Sequence, residues 1–128
     1  MKNNHINFEN SEKILELGYA EDCEYYFIGN KEDNQIIQAD KINVGPPCPS
    51  ILDVIDWIDT HYHVKIDLVF QPAIGSYKYQ IWTPKKDDWK CNRVFCVHSF
   101  FDKNQRNNAA IKHAIEVIKE EKIQKCTI

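Results

Sequence analysis

The sequence predicts an α+β protein. Its main part is a two-layer sandwich with the order helix, three-stranded antiparallel sheet, helix, preceded by a small helix-and-hairpin module. Three observations carry this prediction. Apolar residues recur at helical spacing in 51–62 and again in 110–118. Between those stripes lie three segments with strand character, separated by connections short enough for antiparallel hairpins. Upstream of them, VGPPCPS at 44–50 places three prolines among four positions, a run that continues neither a helix nor a central strand. The division expected from this is an acidic module over 1–45 and an α-β-β-β-α domain over 46–128, with the proline segment as linker.

Taken in order, NSEKILELG (10–18) predicts a short helix. Asn10 or Ser11 would cap it and Gly18 would stop it in the left-handed conformation. CEYYFIGNKEDNQIIQAD predicts a hairpin, with strands at Tyr25–Ile28 and 35–39 around a polar turn over 29–34. Ser50 is an N-cap with Asp53 three residues on, a capping-box spacing. The stripe Ile51, Val54, Ile55, Ile58 and Tyr62 then leaves Asp53, Asp56 and Asp59 on the wet side. HVKIDLVF alternates Val64, Ile66, Leu68 and Phe70 with Lys65 and Asp67, and SYKYQIWT sets Tyr77, Tyr79 and Ile81 against Lys78, Gln80 and Trp82. RVFCVHSF is apolar on both faces, and PKKDDWKCN is read as the loop before it. Asp102 caps the closing helix, whose buried stripe is Ala110, Ile111, Ala114, Val117 and Ile118.

A chain of 128 residues with 43% hydrophobic and 27% charged residues is long enough and apolar enough to bury a core without a metal or disulfide. No apolar run reaches the ~18 residues that a membrane helix needs, and the polar start lacks a signal-peptide core, so a cytoplasmic location is expected. Five irregularly spaced cysteines then read as reduced thiols, several of them buried. The net charge of −3 is uneven: 1–45 hold four basic against nine acidic residues, and 46–128 hold twelve against ten. That balance argues against nonspecific DNA binding, which clustered Lys and Arg drive.

Chemistry-bearing groupings are sparse. Cys91, Cys96 and His98, with His61 and His63, supply zinc-ligand types, but CNRVFCVH lacks the short Cys-x-x-Cys knuckle. No Gly-x-Ser-x-Gly elbow and no glycine-rich phosphate loop is present. The expectation is no catalytic residue, no metal and no cofactor, with a small hydrolase or zinc protein as the third-ranked alternative. Binding is the leading expectation because aromatic anchors dominate binding hot spots. Trp82 and Trp89, with Lys85 and Lys86 beside them, are the candidates in the middle of the chain. At the entry of the last helix the candidates are Lys103, Asn104, Arg106, Asn107 and Lys112.

Two resemblances follow from these segments. The order of elements, and KNQRNNAAIKHAIEVI with its Ala109-Ala110 and Ala114, resemble the double-stranded-RNA-binding domain. That resemblance implies phosphate contacts at Lys103, Asn104 and Asn107, of which only the first is cationic. The chain departs from the family in QPAIGS, where the minor-groove histidine is missing, and in a first helix that offers aspartates. Leu17, Gly18, Tyr19, Glu21, Cys23, Tyr25 and Tyr26, with Trp57-Ile58, Val64, Ile66 and Ala114-Ile115, make the chain similar to a group of small proteins of Bacteroidota and their phages. The similarity implies a phage or mobile-element accessory role. The function expected is therefore that of a non-enzymatic protein that binds a host protein or ribonucleoprotein, for instance to inhibit a defence complex. The acidic module would mimic phosphate toward a basic groove. Direct RNA binding is the alternative, and no membrane partner is expected.

Overall fold

The computed structural model describes residues 4–21, 23–28, 35–38, 45–85, 88–100 and 102–125, with the side chains of 28, 35–38, 84–85 and 88–99 excepted. It is an α+β structure. The chain falls into two compact units, Met1–Asp53 and Val54–Ile128.

In the first unit, α1 runs Phe8–Glu16 and is capped by Asn7, whose side chain accepts from the Asn10 amide at 2.9 Å. The helix thus starts earlier than Asn10 or Ser11 would have it. Both of those residues are buried within it, and the Ser11 hydroxyl donates to the Pro47 carbonyl. Gly18 takes the left-handed stop at φ 95°. Strands β1 (Tyr25–Ile28) and β2 (Gln35–Gln38) pair antiparallel, and the turn expected between them lies outside the described residues.

The proline segment, read as a linker, is part of this unit's backbone network. Proline donates no hydrogen bond but accepts normally. The Phe27 amide gives to Pro46 O at 2.9 Å, and the Cys48 amide gives to Tyr25 O at 2.9 Å. On its other side, Ile6 N gives to Pro49 O at 3.1 Å and Ile51 N to Asn4 O at 2.8 Å. Gly45 is needed for this close approach. Its φ is +142°, and a Cβ there would stand 2.5 Å from Phe27 O. Phe8, Phe27 and Cys48 form the small apolar cluster beneath, with Tyr25 packed on it.

Helix α2, Ile51–Tyr62, begins at Ser50, whose hydroxyl accepts from the Asp53 amide at 3.1 Å. It ends at His63, held left-handed at φ 56°. Val54, Trp57, Ile58 and Tyr62 are buried, so Trp57 joins the expected stripe. Asp53 and Asp56 are exposed, while Asp59 meets Lys65 at 3.2 Å in a solvent-exposed pair that contributes little to stability.

The second unit's sheet has the order β3-β4-β5, all antiparallel, with β3 at Lys65–Gln71, β4 at Ser76–Lys85 and β5 at Asp88–Phe100. The segment expected as a loop, PKKDDWKCN, is mostly strand: β4 runs on to Lys85 and β5 begins at Asp88, with Lys85 opposite Asp88. Ile66, Tyr79, Ile81 and Thr83 are buried, whereas the intervening Lys65 and Asp67 are exposed and Gln80 and Trp82 half-buried. Helix α3, Lys103–Glu120, is capped by Asp102, which accepts from the Gln105 amide at 3.0 Å. It lies across β3, β4 and β5. Its buried side is Ala110, Ile111, Ala114, Ile115, Val117 and Ile118. Past its end, the Lys125 ammonium sits 5.5 Å from the centre of the Trp57 ring.

Candidate functional site

Among the described residues of the second unit, the large hydrophobic side chains left exposed lie on the β3–β4 hairpin. Gln71 pairs with Ser76, and Pro72–Gly75 make the turn, closed by Ile74 N to Gln71 O at 3.3 Å and Gly75 N to Pro72 O at 3.4 Å. Gly75 adopts φ 62°, the conformation that returns the chain into β4. The alternation that buries Ile66 continues to Phe70, yet Phe70 is 48% exposed. Ile74, at the turn, is 66% exposed. Tyr77, opposite Phe70 in register, packs its ring 4.8 Å from the Phe70 ring. The hairpin end therefore presents two large apolar side chains to solvent, with half-buried Tyr77 packed beside Phe70.

Arg106 anchors this end to α3. Arg106 is 4% exposed, and its guanidinium Nη1 donates to two carbonyls, Val69 O at 2.9 Å and Lys78 O at 3.1 Å. Val69 and Lys78 face each other across the hairpin, so one nitrogen ties both strands to the helix. Lys78 lies at the register shift between β4 and β5, where an irregular ladder leaves a carbonyl to be satisfied by another group. Nε donates to Asn107 Oδ1 at 2.7 Å, and the guanidinium carbon lies 5.1 Å from the Tyr77 ring centre. Burial pushes the Arg106 pKa down, and the neighbouring Tyr77 opposes that push.

The expected contacts at the entry of α3 are accordingly dispersed. Arg106 and Asn107 are buried and spend their polar groups inside the fold, so they do not offer them to a ligand in solvent. The carbonyl of half-buried Asn104 accepts from Asn108 Nδ2 at 3.2 Å. Lys103 and Lys112 are exposed, but nine residues at about 100° each set them on opposite sides of the helix. The three cations singled out in the sequence do not make one patch.

In the middle of the chain, Trp82 is half-buried and its indole Nε1 is a buried donor with no partner among the described residues. Trp89 stands in β5 rather than in a loop. Its side chain and that of Lys85 lie outside the described residues, as does Lys86 altogether. The same holds for the side chains of Cys91, Cys96 and His98. Among the described residues no group of three His, Cys, Asp or Glu could hold a metal ion. The His61 ring packs 4.9 Å from Trp57, and His63 is exposed. No helix among the described residues is long and apolar enough to cross a membrane.

Tyr79 and His113 form the other polar contact beneath α3. The phenol oxygen lies 2.8 Å from Nδ1, and burial, with Glu116 nearby, pushes the phenol up to about 12. A phenol so resistant to ionisation stays protonated and is not a general base; which partner donates in this contact follows the His113 tautomer. The hairpin end was missed in the sequence because Phe70 completes an inward alternation. Only Ile74, an isoleucine in a turn flanked by Pro and Gly, signals that apolar surface is displayed there.

No protein-family model, no curated protein and no solved structure matches this chain.

Proposed function

We propose that the chain is a non-catalytic protein-binding module, an accessory protein of a phage or mobile element that docks on a host protein or nucleoprotein through the β3–β4 hairpin. Its second unit is read as a two-layer sandwich in the order of the double-stranded-RNA-binding domain, with the hairpin turned to protein recognition. The observation that carries this reading is the exposure of Phe70 and Ile74 at the end of a hairpin that Arg106 ties to α3 close to its turn. Apolar side chains held rigidly at a surface lose little freedom on binding, which is how a few residues come to dominate an interface. The RNA alternative rests on Lys103, the one exposed cation in the first turn of α3.

The test is quantitative affinity capture from host lysate, with the wild-type chain and the double variant Phe70→Ser, Ile74→Ser as bait. Proteins retained by the wild type and lost by a folded double variant support hairpin docking. Equal retention by both baits overturns it. A shift of duplex RNA at low salt that disappears with Lys103→Glu would place the alternative first.

A further inference from the structure

The two cysteines of the first unit are Cys23 and Cys48, and they meet at one backbone oxygen. Cys23 Sγ donates to Tyr25 O at 3.3 Å, and the Cys48 amide donates to the same oxygen at 2.9 Å. The sulfur of one is therefore at most about 6 Å from the backbone nitrogen of the other, and Cys23 is near enough for its charge to act on the Cys48 thiol. Their settings differ. Cys23 is half-buried, whereas Cys48 is fully buried, its thiol donating to Ile6 O at 3.6 Å.

We propose that Cys23 and Cys48 form a reversible redox pair, in which Cys23 meets the oxidant and Cys48 resolves it into an intramolecular disulfide. With glutathione disulfide as oxidant, the Cys23 thiolate attacks one sulfur of that disulfide. Its S–S bond breaks, one glutathione leaves as thiolate, and a mixed disulfide remains on Cys23. Cys48 then gives up its proton to solvent base and attacks the Cys23 sulfur, releasing the second glutathione. Two protein thiols are oxidised and one disulfide is reduced to two thiols. The order of events follows from access and ionisation. Burial first, and the charge of Cys23 second, push the Cys48 thiol up to about 12, so it is a poor first nucleophile. Once Cys23 is a mixed disulfide it carries no charge, and the second of those causes is gone. The product would fasten β1 to the proline segment and close the chain between residues 23 and 48.

The experiment is oxidation of the full chain with glutathione disulfide, followed by alkylation, tryptic digestion without reductant and mass spectrometry. Cleavage after Lys13, Lys31, Lys41 and Lys65 puts Cys23 in peptide 14–31 and Cys48 in peptide 42–65. The expected result is a linked pair of these two peptides that separates on reduction. An upward shift of the unfolding midpoint, on the order of 10 °C, should accompany it. In Cys23→Ser, Cys48 should stay unmodified. Mixed glutathione disulfides without the 14–31 to 42–65 link overturn the proposal, as does linkage of either cysteine to Cys91, Cys96 or Cys126.

Discussion

The entry of α3 and the end of the β3–β4 hairpin are neighbours joined by Arg106, and they invert one another. At the helix entry, Arg106, Asn107 and Asn108 are polar and buried; at the hairpin end, Phe70 and Ile74 are apolar and exposed. Polar groups enter a protein interior only where partners replace water, and here the partners are two strand carbonyls and the neighbouring amide side chains. Phe70 and Ile74 are large apolar groups left exposed near one another among the described residues, and such exposure is what the proposed docking uses. The pair of regions teaches that Arg106, read as a contact for a ligand, is architecture, and that the proposed recognition surface sits beside it.

The largest expected effect comes from breaking the polar half of that pair. Arg106→Ala strands Val69 O and Lys78 O and removes a charge-assisted donor, at a cost of about 3 kcal/mol. Urea denaturation followed by tryptophan fluorescence would measure it in the right place, since Trp57, Trp82 and Trp89 all belong to the second unit. Lysine is not a substitute, because an ammonium does not reproduce the planar fork that addresses two carbonyls and a side chain together. A loss under about 0.5 kcal/mol, the range of ordinary surface changes, would mean that Arg106 does not anchor the hairpin.

Breaking the apolar half should do the opposite. Phe70→Ser with Ile74→Ser should leave the denaturation midpoint nearly unchanged. Partner affinity should fall by roughly a hundredfold, about 2.8 kcal/mol, which is within the range of hot-spot losses. Equal losses of stability and binding would make Phe70 and Ile74 ordinary core-edge residues and remove the contrast.

These regions also mark where the sequence was readable. Ser50 and Asp102 announce the starts of α2 and α3 because a cap is a local contact, formed with an amide three residues on. α1 was placed late because Asn7, Asn10 and Ser11 all have cap chemistry, and only the fold chooses Asn7. The proline segment looked like a linker because proline's missing amide is local information. Its use as an acceptor of the Phe27 amide depends on a strand far away in sequence. Arg106 was misjudged for the same reason. Its partners lie 37 and 28 positions upstream, and nothing near it in the chain distinguishes a buried guanidinium from an exposed one.

A smaller effect separates the two units by pH. Tyr79 in the second unit, and Tyr19 and Cys48 in the first, are each pushed up to about 12, from 10.0 for the tyrosines and 9.0 for the thiol. Burial is the first cause in all three, and it favours the protonated form of each in the folded state. Their contribution is complete below the unfolded values and is lost as pH rises toward 12. Stability should therefore begin to fall near pH 9 through Cys48 and near pH 10 through the tyrosines. Tyr79→Phe should flatten the fluorescence-detected part of that fall while leaving the circular-dichroism signal of the first unit to follow it. An unchanged slope in Tyr79→Phe would show that the phenol ionises as freely folded as unfolded.

The smallest expected change is also the one that weighs the two functional readings. Lys103 stands in the first turn of α3, which holds no acidic residue. The positive end of the helix dipole disfavours a cation there, so Lys103→Glu should stabilise the fold by about 0.3–0.5 kcal/mol. Under the hairpin reading the substitution is otherwise silent: partner retention should match the wild type, as it should for Lys112→Glu on the far side of the helix. Under the RNA reading the same lysine is kept at a small cost because it meets phosphate. Lys103→Glu would then gain stability while losing binding, with the salt dependence of binding reduced by about one counterion. Measuring both quantities on the one variant tells an unneeded charge from a used one. A gain in stability with unchanged partner retention leaves recognition with Phe70 and Ile74.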